Sequence, residues 1–238
     1  MAERSATGQV IVTGGSRGIG AAIAAALDRE GYDVVSLSRS GEAPAGRGVV
    51  CDLTDEAAIR KTFAEIGEAG PVAGLVNNAG FHVTAKSAAL ERAQFDEVMA
   101  LNATAVMLAA REAYPLLKRT RGTIVNIGSF FDKMGVPDNL AYCASKAAVG
   151  AITRCLAVEW AADGIRVMNV APGYIATDLN RDYLGRDKVK AWLAGRIPTG
   201  GPGAPEDVAA LVASLMTGAI PFLTGETIYI DGGQGMNH

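Results

Sequence analysis

Tyr142 stands four residues before Lys146 in the run Tyr142-Cys143-Ala144-Ser145-Lys146, and Ser129 lies thirteen residues before Tyr142. On a helix, residues i and i+4 share a face, so this spacing sets an ammonium beside a phenol. A neighbouring positive charge favours phenolate over phenol and lowers the tyrosine pKa from ~10. At ~5 Å and an effective dielectric of ~20, the Coulomb energy is ~3 kcal/mol, or roughly two pKa units. A tyrosine tuned in this way is a usable proton donor and acceptor near neutral pH. A serine hydroxyl alongside could hold a carbonyl oxygen in place.

The spacing alone is a weak signal, because Tyr114-Pro115-Leu116-Leu117-Lys118 repeats it. Context separates the two pairs. Thirteen residues before Tyr114 stands Leu101, which cannot bind a carbonyl, whereas Ser129 follows Thr123-Ile124-Val125-Asn126-Ile127. That β-branched run reads as a buried strand. Ser129 is therefore expected at a strand's carboxyl end, where open α/β sheets place their ligands.

The elements that must position these residues begin near the N-terminus. Gln9-Val10-Ile11-Val12-Thr13 reads as a strand, Gly14-Gly15-Ser16-Arg17-Gly18-Ile19-Gly20 as a turn, and the alanine-rich run from Ala21 as a helix. Strand, glycine turn and helix together are the setting of a dinucleotide loop. Glycines let the backbone approach a pyrophosphate and the helix N-terminus favours its charge. The spacing is Gly-x-x-x-Gly-x-Gly, and a tight strand-to-helix turn with no ligand is the other reading. Further strand-like runs fall at 34–37, 48–51, 75–77, 123–127, 166–170 and 227–230, and helical stretches at 55–66, 93–117, 142–161 and 205–216. This alternation predicts βαβ units and an α/β, doubly wound parallel sheet covered by helices on both faces. Residues 1–238 read as a single domain without repeats or linkers. Residues 174–203, rich in Gly, Asp and Arg, are the least regular stretch and read as a mobile lid above the strand ends.

Composition narrows the function. Apolar residues make up 49% and aromatics 6%, so the core must be mostly Ala, Val, Leu and Ile. A net charge of -3 gives no support to nucleic-acid binding. Apolar runs such as 208–216, interrupted by Ser214, are too short to span a bilayer. Residues 1–5 lack the apolar region of a secretory signal. Cys51, Cys143 and Cys155 are odd in number and widely spaced, as expected of a reducing cytoplasmic setting. With His82 and His238 the only histidines, no set of Cys and His has metal-ligand spacing.

Taken together, Thr13 to Gly20, Asn77-Asn78-Ala79-Gly80, Asn102, Ser129, Tyr142/Lys146, Pro172-Gly173, Leu223-Thr224-Gly225-Glu226-Thr227 and Asp231-Gly232-Gly233 resemble the short-chain dehydrogenase/reductase family, in its short single-domain branch. The resemblance covers nearly the whole chain. It implies a seven-stranded Rossmann-type sheet and nicotinamide-dependent hydride transfer. It gives Tyr142 the role of acid/base, Lys146 that of lowering its pKa and binding the nicotinamide ribose, and Ser129 that of orienting the substrate oxygen. Asn102 would hold a water relaying protons to Lys146, or be a helix-interior amide satisfied by backbone. Gly14, Ser16, Arg17, Gly18, Ile19 and Gly20 would hold the cofactor, with Asn78, Ala79 and Gly80 flanking it. Asp52 and Leu53 would contact adenine, and Pro172, Gly173, Ile175 and Thr177 would line the nicotinamide end. Asp231 reads as a turn residue.

Departures from the family's pattern are small. Cys143 follows the tyrosine where Ser, Gly or Ala is frequent, and a small thiol fits there. Gly128 precedes Ser129, which the family tolerates. His82 could reach the substrate rim or be an ordinary loop histidine. The overall pattern is most similar to the 3-oxoacyl-carrier-protein reductases and the sugar or polyol dehydrogenases near them. Phe130, Phe131, Tyr174, Tyr183 and Trp192 could enclose a ring or an acyl chain. Lys118-Arg119-Thr120-Arg121 could receive an acyl carrier protein or be a solvated charge run at a helix end. A non-catalytic NADP-binding sensor or scaffold is the reading of another class, but it has no need of a lysine-activated tyrosine. In the family the helices starting near Ala93 and Tyr142 pair across a four-helix interface, so a homotetramer is expected, with a dimer as the alternative.

The second strand ends at Ser38-Arg39. An NAD enzyme would favour Asp or Glu there, accepting from the ribose 2′-hydroxyl. Ser38 offers a hydroxyl instead, and Arg39 a planar fork that suits phosphate oxygens. NADP(H) is the expected cofactor.

Overall fold

The computed structural model describes residues 8–178 and 180–237. Residues 1–5 and the side chain of Tyr183, considered above, lie outside the described residues. Seven strands form one parallel sheet: β1 (Gln9–Thr13), β2 (Asp33–Ser38), β3 (Arg47–Val50), β4 (Val72–Asn77), β5 (Thr123–Ile127), β6 (Arg166–Pro172) and β7 (Thr227–Ile230). Their order across the sheet is β3-β2-β1-β4-β5-β6-β7. The order reverses between β1 and β4, which opens a crevice above their carboxyl ends.

The strands alternate their side chains between two cores. Val10 and Val12 of β1 face α1 (Gly18–Arg29) and α8 (Pro205–Met216), while Ile11 joins the opposite cluster. Leu75 and Val76, Ile124 and Val125, and Val167 and Met168 divide in the same way. The opposite face carries α2 (Glu56–Ala69), α4 (Ala105–Thr120) and α5 (Leu140–Trp160). Local signals place the helix starts. Asp55 accepts from the Ala57 and Ala58 amides to cap α2, and Pro205 opens α8 with Glu206 and Asp207 in its first turn.

Two expectations need correction. The helix expected over 93–117 is not continuous. It comprises α3 (Arg92–Met99), a wider π-turn at Ala100–Thr104 and α4. Within that turn the Ala105 amide bonds back to the Ala100 carbonyl, five residues away. The extra residue swings Asn102 fully into the interior, where it is satisfied by tertiary contacts that the local pattern does not encode. Residues 174–203 are also more regular than expected. They include α6 (Arg181–Leu184) and α7 (Asp187–Arg196), and Leu184, Leu193 and Ile197 pack into a small core of their own. Polar surface residues around few apolar anchors hid that core from a pattern reading.

Candidate active site

The glycine loop is built for a close approach. Gly18 has φ +55, a left-handed conformation that favours glycine. A side chain at Gly20 would collide with the Gly14 carbonyl and the Asn78 amide. The Asn78 amide instead donates to the Thr13 and Gly14 carbonyls at 3.0 and 3.1 Å. The Thr13 hydroxyl accepts from the Asn78 and Ala79 amides at 2.9 and 3.1 Å, so the ends of β1 and β4 are knit together. The N-terminus of α1 has no side-chain cap and no acidic residue in its first turn. Its positive end is left for an external anion. The exposed Arg17 flanks it in extended conformation. A Cβ at Gly18 would lie 3.7 Å from the Thr177 methyl, so the loop faces the segment after β6.

The reacting groups arrive from two neighbouring elements. Ser129, buried at the end of β5, accepts from the Phe131 amide at 3.3 Å and also hydrogen-bonds the Tyr142 phenol. Lys146 is only 5% exposed, and its Nζ donates to the Ile127 carbonyl at 2.7 Å. A side chain at Gly80 would come within 3.7 Å of that Nζ, which places the end of β4 against the lysine. The expectation that Lys146 lowers the Tyr142 pKa is corrected. Burial pushes the phenol up, and the bond from Ser129 only partly offsets this. The ammonium lies 5.7 Å from the ring centroid and is directed to the Ile127 carbonyl. Lys146 itself is lowered to about 8 by burial. Each group has its neutral form favoured by its own loss of hydration.

Asn102 is held in this arrangement by tertiary contacts. Its amide donates to the Phe81 carbonyl at 2.9 Å and to the Ser145 hydroxyl at 3.1 Å, and it accepts from the Phe81 amide at 3.0 Å. It clamps the loop after β4 to α5. Ser145 in turn donates to the Tyr142 carbonyl at 2.8 Å.

At the far end of the crevice, the Gly14 amide bonds to the Leu37 carbonyl and the Cys51 amide to the Ser38 carbonyl. Ser38, Arg39 and Asp52 therefore sit beside the glycine loop. The Ser38 hydroxyl accepts from the Gly41 amide at 3.0 Å and closes a turn, and the exposed Arg39 stands next to it. Hydrogen bonds from Thr54 lower the Asp52 carboxyl, and the Arg39 charge lowers it further. Leu53 and Ile175 are buried, at 6% exposure each, and belong to the two cores. Pro172 ends β6, Gly173 packs against Asp231, and the Thr177 amide is fixed by Asn180. Asp231 accepts from the Gly233 and Gly235 amides, as a turn residue does. The basic run 118–121 begins on the last turn of α4, before β5, and so lies at the amino ends of the strands, opposite Ser129. Five strand residues separate the two ends, roughly 17 Å at ~3.3 Å per residue.

An aromatic wall closes one side. Phe130, Phe131, Tyr174 and Trp192 meet edge to face or tilted at centroid distances of 4.7–6.3 Å, and Phe131 reaches Tyr142 at 6.0 Å. His82 meets the Tyr142 ring edge-on at 4.8 Å. Cys143 packs below, its thiol pushed up by burial. Sequence reasoning missed a buried polar chain. Asn77 donates to Asn126, Asn126 to Thr153, and Thr153 to the Val149 carbonyl, each at 2.9 Å. This chain sets α5 against β4 and β5, and hence Tyr142 against Ser129. The signal was there in Asn126, a polar residue inside a β-branched run. Among the described residues no group of His, Cys, Asp or Glu could hold a metal ion, and no helix is long and apolar enough to cross a membrane.

Comparisons with known proteins agree with this geometry. The family described as Enoyl-(Acyl carrier protein) reductase matches residues 14–235. The chain is 38% identical over 227 residues to the inactive 2-(S)-hydroxypropyl-CoM dehydrogenase 2 of Xanthobacter autotrophicus, covering 89% of this chain and 99% of that protein. It is 36% identical over 232 residues to the 3-oxoacyl-(acyl-carrier-protein) reductase MabA of Mycobacterium bovis, covering 96% and 93%. Its fold is similar, with a TM-score of 0.90 at 28% identity over 97% of this chain and 96% of that one, to a gluconate 5-dehydrogenase from Burkholderia cenocepacia in complex with NADP and tartrate. Glycine loop, tyrosine–lysine helix, seven-stranded sheet and these matches together make the chain a member of the short-chain dehydrogenase/reductase family.

Proposed function

We propose that the chain is an NADP(H)-dependent oxidoreductase that interconverts a carbonyl and a secondary alcohol, with Tyr142 as the acid/base. One observation carries this reading. Ser129, Tyr142 and the buried Lys146 converge above the carboxyl ends of the strands, next to a glycine cradle that a single Cβ would fill. Gly14, Ser16, Arg17, Gly18, Ile19 and Gly20 would hold the pyrophosphate at the uncapped start of α1. Ser38 and Arg39 would hold the 2′-phosphate, Asp52 and Leu53 the adenine, and Lys146 the nicotinamide ribose. Asn78, Ala79 and Gly80 would flank the cofactor, and Pro172, Gly173, Ile175 and Thr177 would line its nicotinamide end. Bound there, the cofactor supplies or accepts the hydride at the carbonyl carbon.

The remaining chemistry belongs to this chain's own residues. Ser129 orients the substrate oxygen. Tyr142, kept as a phenol by burial, holds the proton that the oxygen needs during reduction. The Lys146 ammonium, populated below about pH 8, neutralises the phenolate left behind. Asn102 keeps the loop after β4 in place through Phe81.

Steady-state kinetics with both cofactors and a panel of carbonyl compounds test the reading. A charge-assisted contact is worth ~1.5–3 kcal/mol, so Arg39 gives roughly 10–150-fold preference for NADP. Arg39→Ala should erode that preference mainly through KM for NADP. Equal or better kcat/KM with NAD in the wild type would refute the cofactor choice. NADPH binding without turnover of any carbonyl would favour the sensor or scaffold reading instead.

Two substrate classes fit the site. The aromatic wall of Phe130, Phe131 and Tyr174 suits the chain of a 3-oxoacyl group, carried on an acyl carrier protein or another thiol. The polar His82 beside Tyr142 suits a sugar or polyol. We also propose a homotetramer, with a dimer as the alternative. Met107 on α4 and Val158 on α5 are 39% and 81% exposed, an apolar surface that a second subunit would cover. A monomer mass by light scattering at micromolar concentration would contradict this.

A further inference from the structure

We propose that His82 is a specificity-determining residue of this site. Its Nδ1 accepts a hydrogen bond from a hydroxyl on the substrate carbon next to the reacting carbonyl, so hydroxylated ketones and polyols are the favoured substrates. The proposal rests on Tyr142 being the acid/base.

The position of His82 is held from three sides. The preceding residue, Phe81, is clamped by Asn102 through both its amide and its carbonyl. Downstream, the Ala85 amide bonds to the Asp138 carbonyl at 2.9 Å, joining this loop to the one that leads into α5. The imidazole itself packs edge-on against the Tyr142 ring, with an interplanar angle of 71°, and its Nε2 is hydrogen-bonded to Asn139 Oδ1. An exposed side chain on a loop has no reason to be this well fixed unless its neighbours specify it.

The network also assigns the tautomer. The Asn139 amide nitrogen donates to the Pro137 carbonyl at 2.6 Å, so the amide oxygen must be the atom turned toward His82. An amide oxygen only accepts, hence Nε2 carries a hydrogen. In the tautomer with that one ring hydrogen, Nδ1 is the acceptor of the ring. Asn139 therefore leaves Nδ1 as the acceptor of a ring that packs against Tyr142.

The rest of the site sharpens this point. Phe130, Phe131 and Tyr174 present ring faces and edges to one another and, from Phe131, to Tyr142. Ser129 and Tyr142 are both committed to the reacting oxygen in the proposed mechanism. His82 is thus a polar group at Tyr142 that remains for a second substrate function. A substrate hydroxyl can donate to it. The methylenes that flank the carbonyl of a 3-oxoacyl group have no donor to offer and would strip water from Nδ1 without replacement.

Initial rates of NADPH oxidation test this with the full-length chain and three ketones: hydroxyacetone, its deoxy isostere butanone, and ethyl acetoacetate as the 3-oxoacyl representative. One neutral hydrogen bond predicts a kcat/KM for hydroxyacetone ~5- to 10-fold above that for butanone. His82→Phe keeps a ring against Tyr142 but removes the acceptor. Whatever its absolute rate, its hydroxyacetone-to-butanone ratio should fall to within about twofold of unity. His82→Gln, which restores an acceptor, should recover part of the ratio, and Asn139→Ala, which frees the tautomer, should lower it. NADPH fluorescence titration shows whether His82→Phe is folded; if it is not, Asn139→Ala carries the test. A wild-type ratio near unity, a preference for ethyl acetoacetate, or a ratio unmoved by both variants overturns the role of His82 while leaving Tyr142 intact. No turnover of any of the three by an NADPH-binding wild type overturns the assignment of Tyr142, and this proposal with it.

Discussion

The two tyrosine–lysine pairs of this molecule share a spacing and nearly a geometry. Lys118 Nζ lies 5.6 Å from the Tyr114 ring centroid, and Lys146 Nζ lies 5.7 Å from that of Tyr142. Their surroundings differ in every respect. Lys118 is 53% exposed and pairs with Asp163 at 2.8 Å, while Tyr114 donates to the same carboxylate at 2.6 Å. Those bonds raise the lysine pKa and lower that of Asp163. Lys146 has a backbone carbonyl in place of a carboxylate, and burial lowers it to about 8. A helix turn sets how far apart two side chains stand. What surrounds them sets which protons they keep. The first pair is a surface ion cluster at the foot of α4, and the second is a pair of dehydrated groups held in a crevice.

The largest effect that would break this contrast is catalytic. Tyr142→Phe should bind cofactor and keep the fold but lose ~10²–10⁴-fold in turnover, more if Ser129 and Lys146 act with it as a unit. Retention of more than about a tenth of wild-type activity, under 1.4 kcal/mol of barrier, would sink the assignment. Next in size is stability. The folded pKa of Lys146 lies below its ordinary 10.5, so the unfolded chain binds more protons between about pH 8 and 10.5. Stability should therefore rise with pH across that window. At pH 7 the buried ammonium costs on the order of 3 kcal/mol. Lys146→Met should raise Tm at pH 7 and flatten that rise. A lower Tm would mean that the bond to Ile127 outweighs the lost hydration.

The surface pair should respond with the opposite sign. The Lys118 pKa is raised, so its contribution is present below its unfolded value and is lost as pH rises through the folded one. Lys118→Met should lower Tm slightly at pH 7, because an exposed, salt-screened pair contributes little. The smallest effect belongs to Tyr114→Phe, which should leave turnover within about threefold, less than 1 kcal/mol of barrier. A catalytic collapse there with an unchanged fold would mean that the wrong pair had been chosen.

Much of the scaffold was legible from residue order. Each of the seven expected strands overlaps an observed one, because most are short, apolar and bounded by turn residues, although β4 starts three residues earlier than expected and β3 is shifted by one. Helix α8 was expected at 205–216 and spans Pro205–Met216, since proline and two acidic residues mark its start unambiguously. The π-turn at Ala100–Thr104 was not legible. It goes together with the bonds between the Asn102 side chain and Phe81, twenty-one residues away, and no local period records such bonds. The packing of 174–203 was hidden for a similar reason, since Leu184, Leu193 and Ile197 make a core only once they are folded together.

The sequence by itself determined which groups could meet: a phenol and an ammonium one helical turn apart, a serine at a strand's end, a glycine loop ahead of a helix, and an arginine after the second strand. Covalent spacing on regular elements leaves little freedom in those distances. Only the tertiary structure decided their protonation and their company. Burial is a property of the whole assembled chain, and it turned Tyr142 toward phenol and brought Lys146 to about 8, against the expectation from spacing. The same assembly carried Lys118 to the amino ends of the strands beside Asp163 and laid His82 against Tyr142.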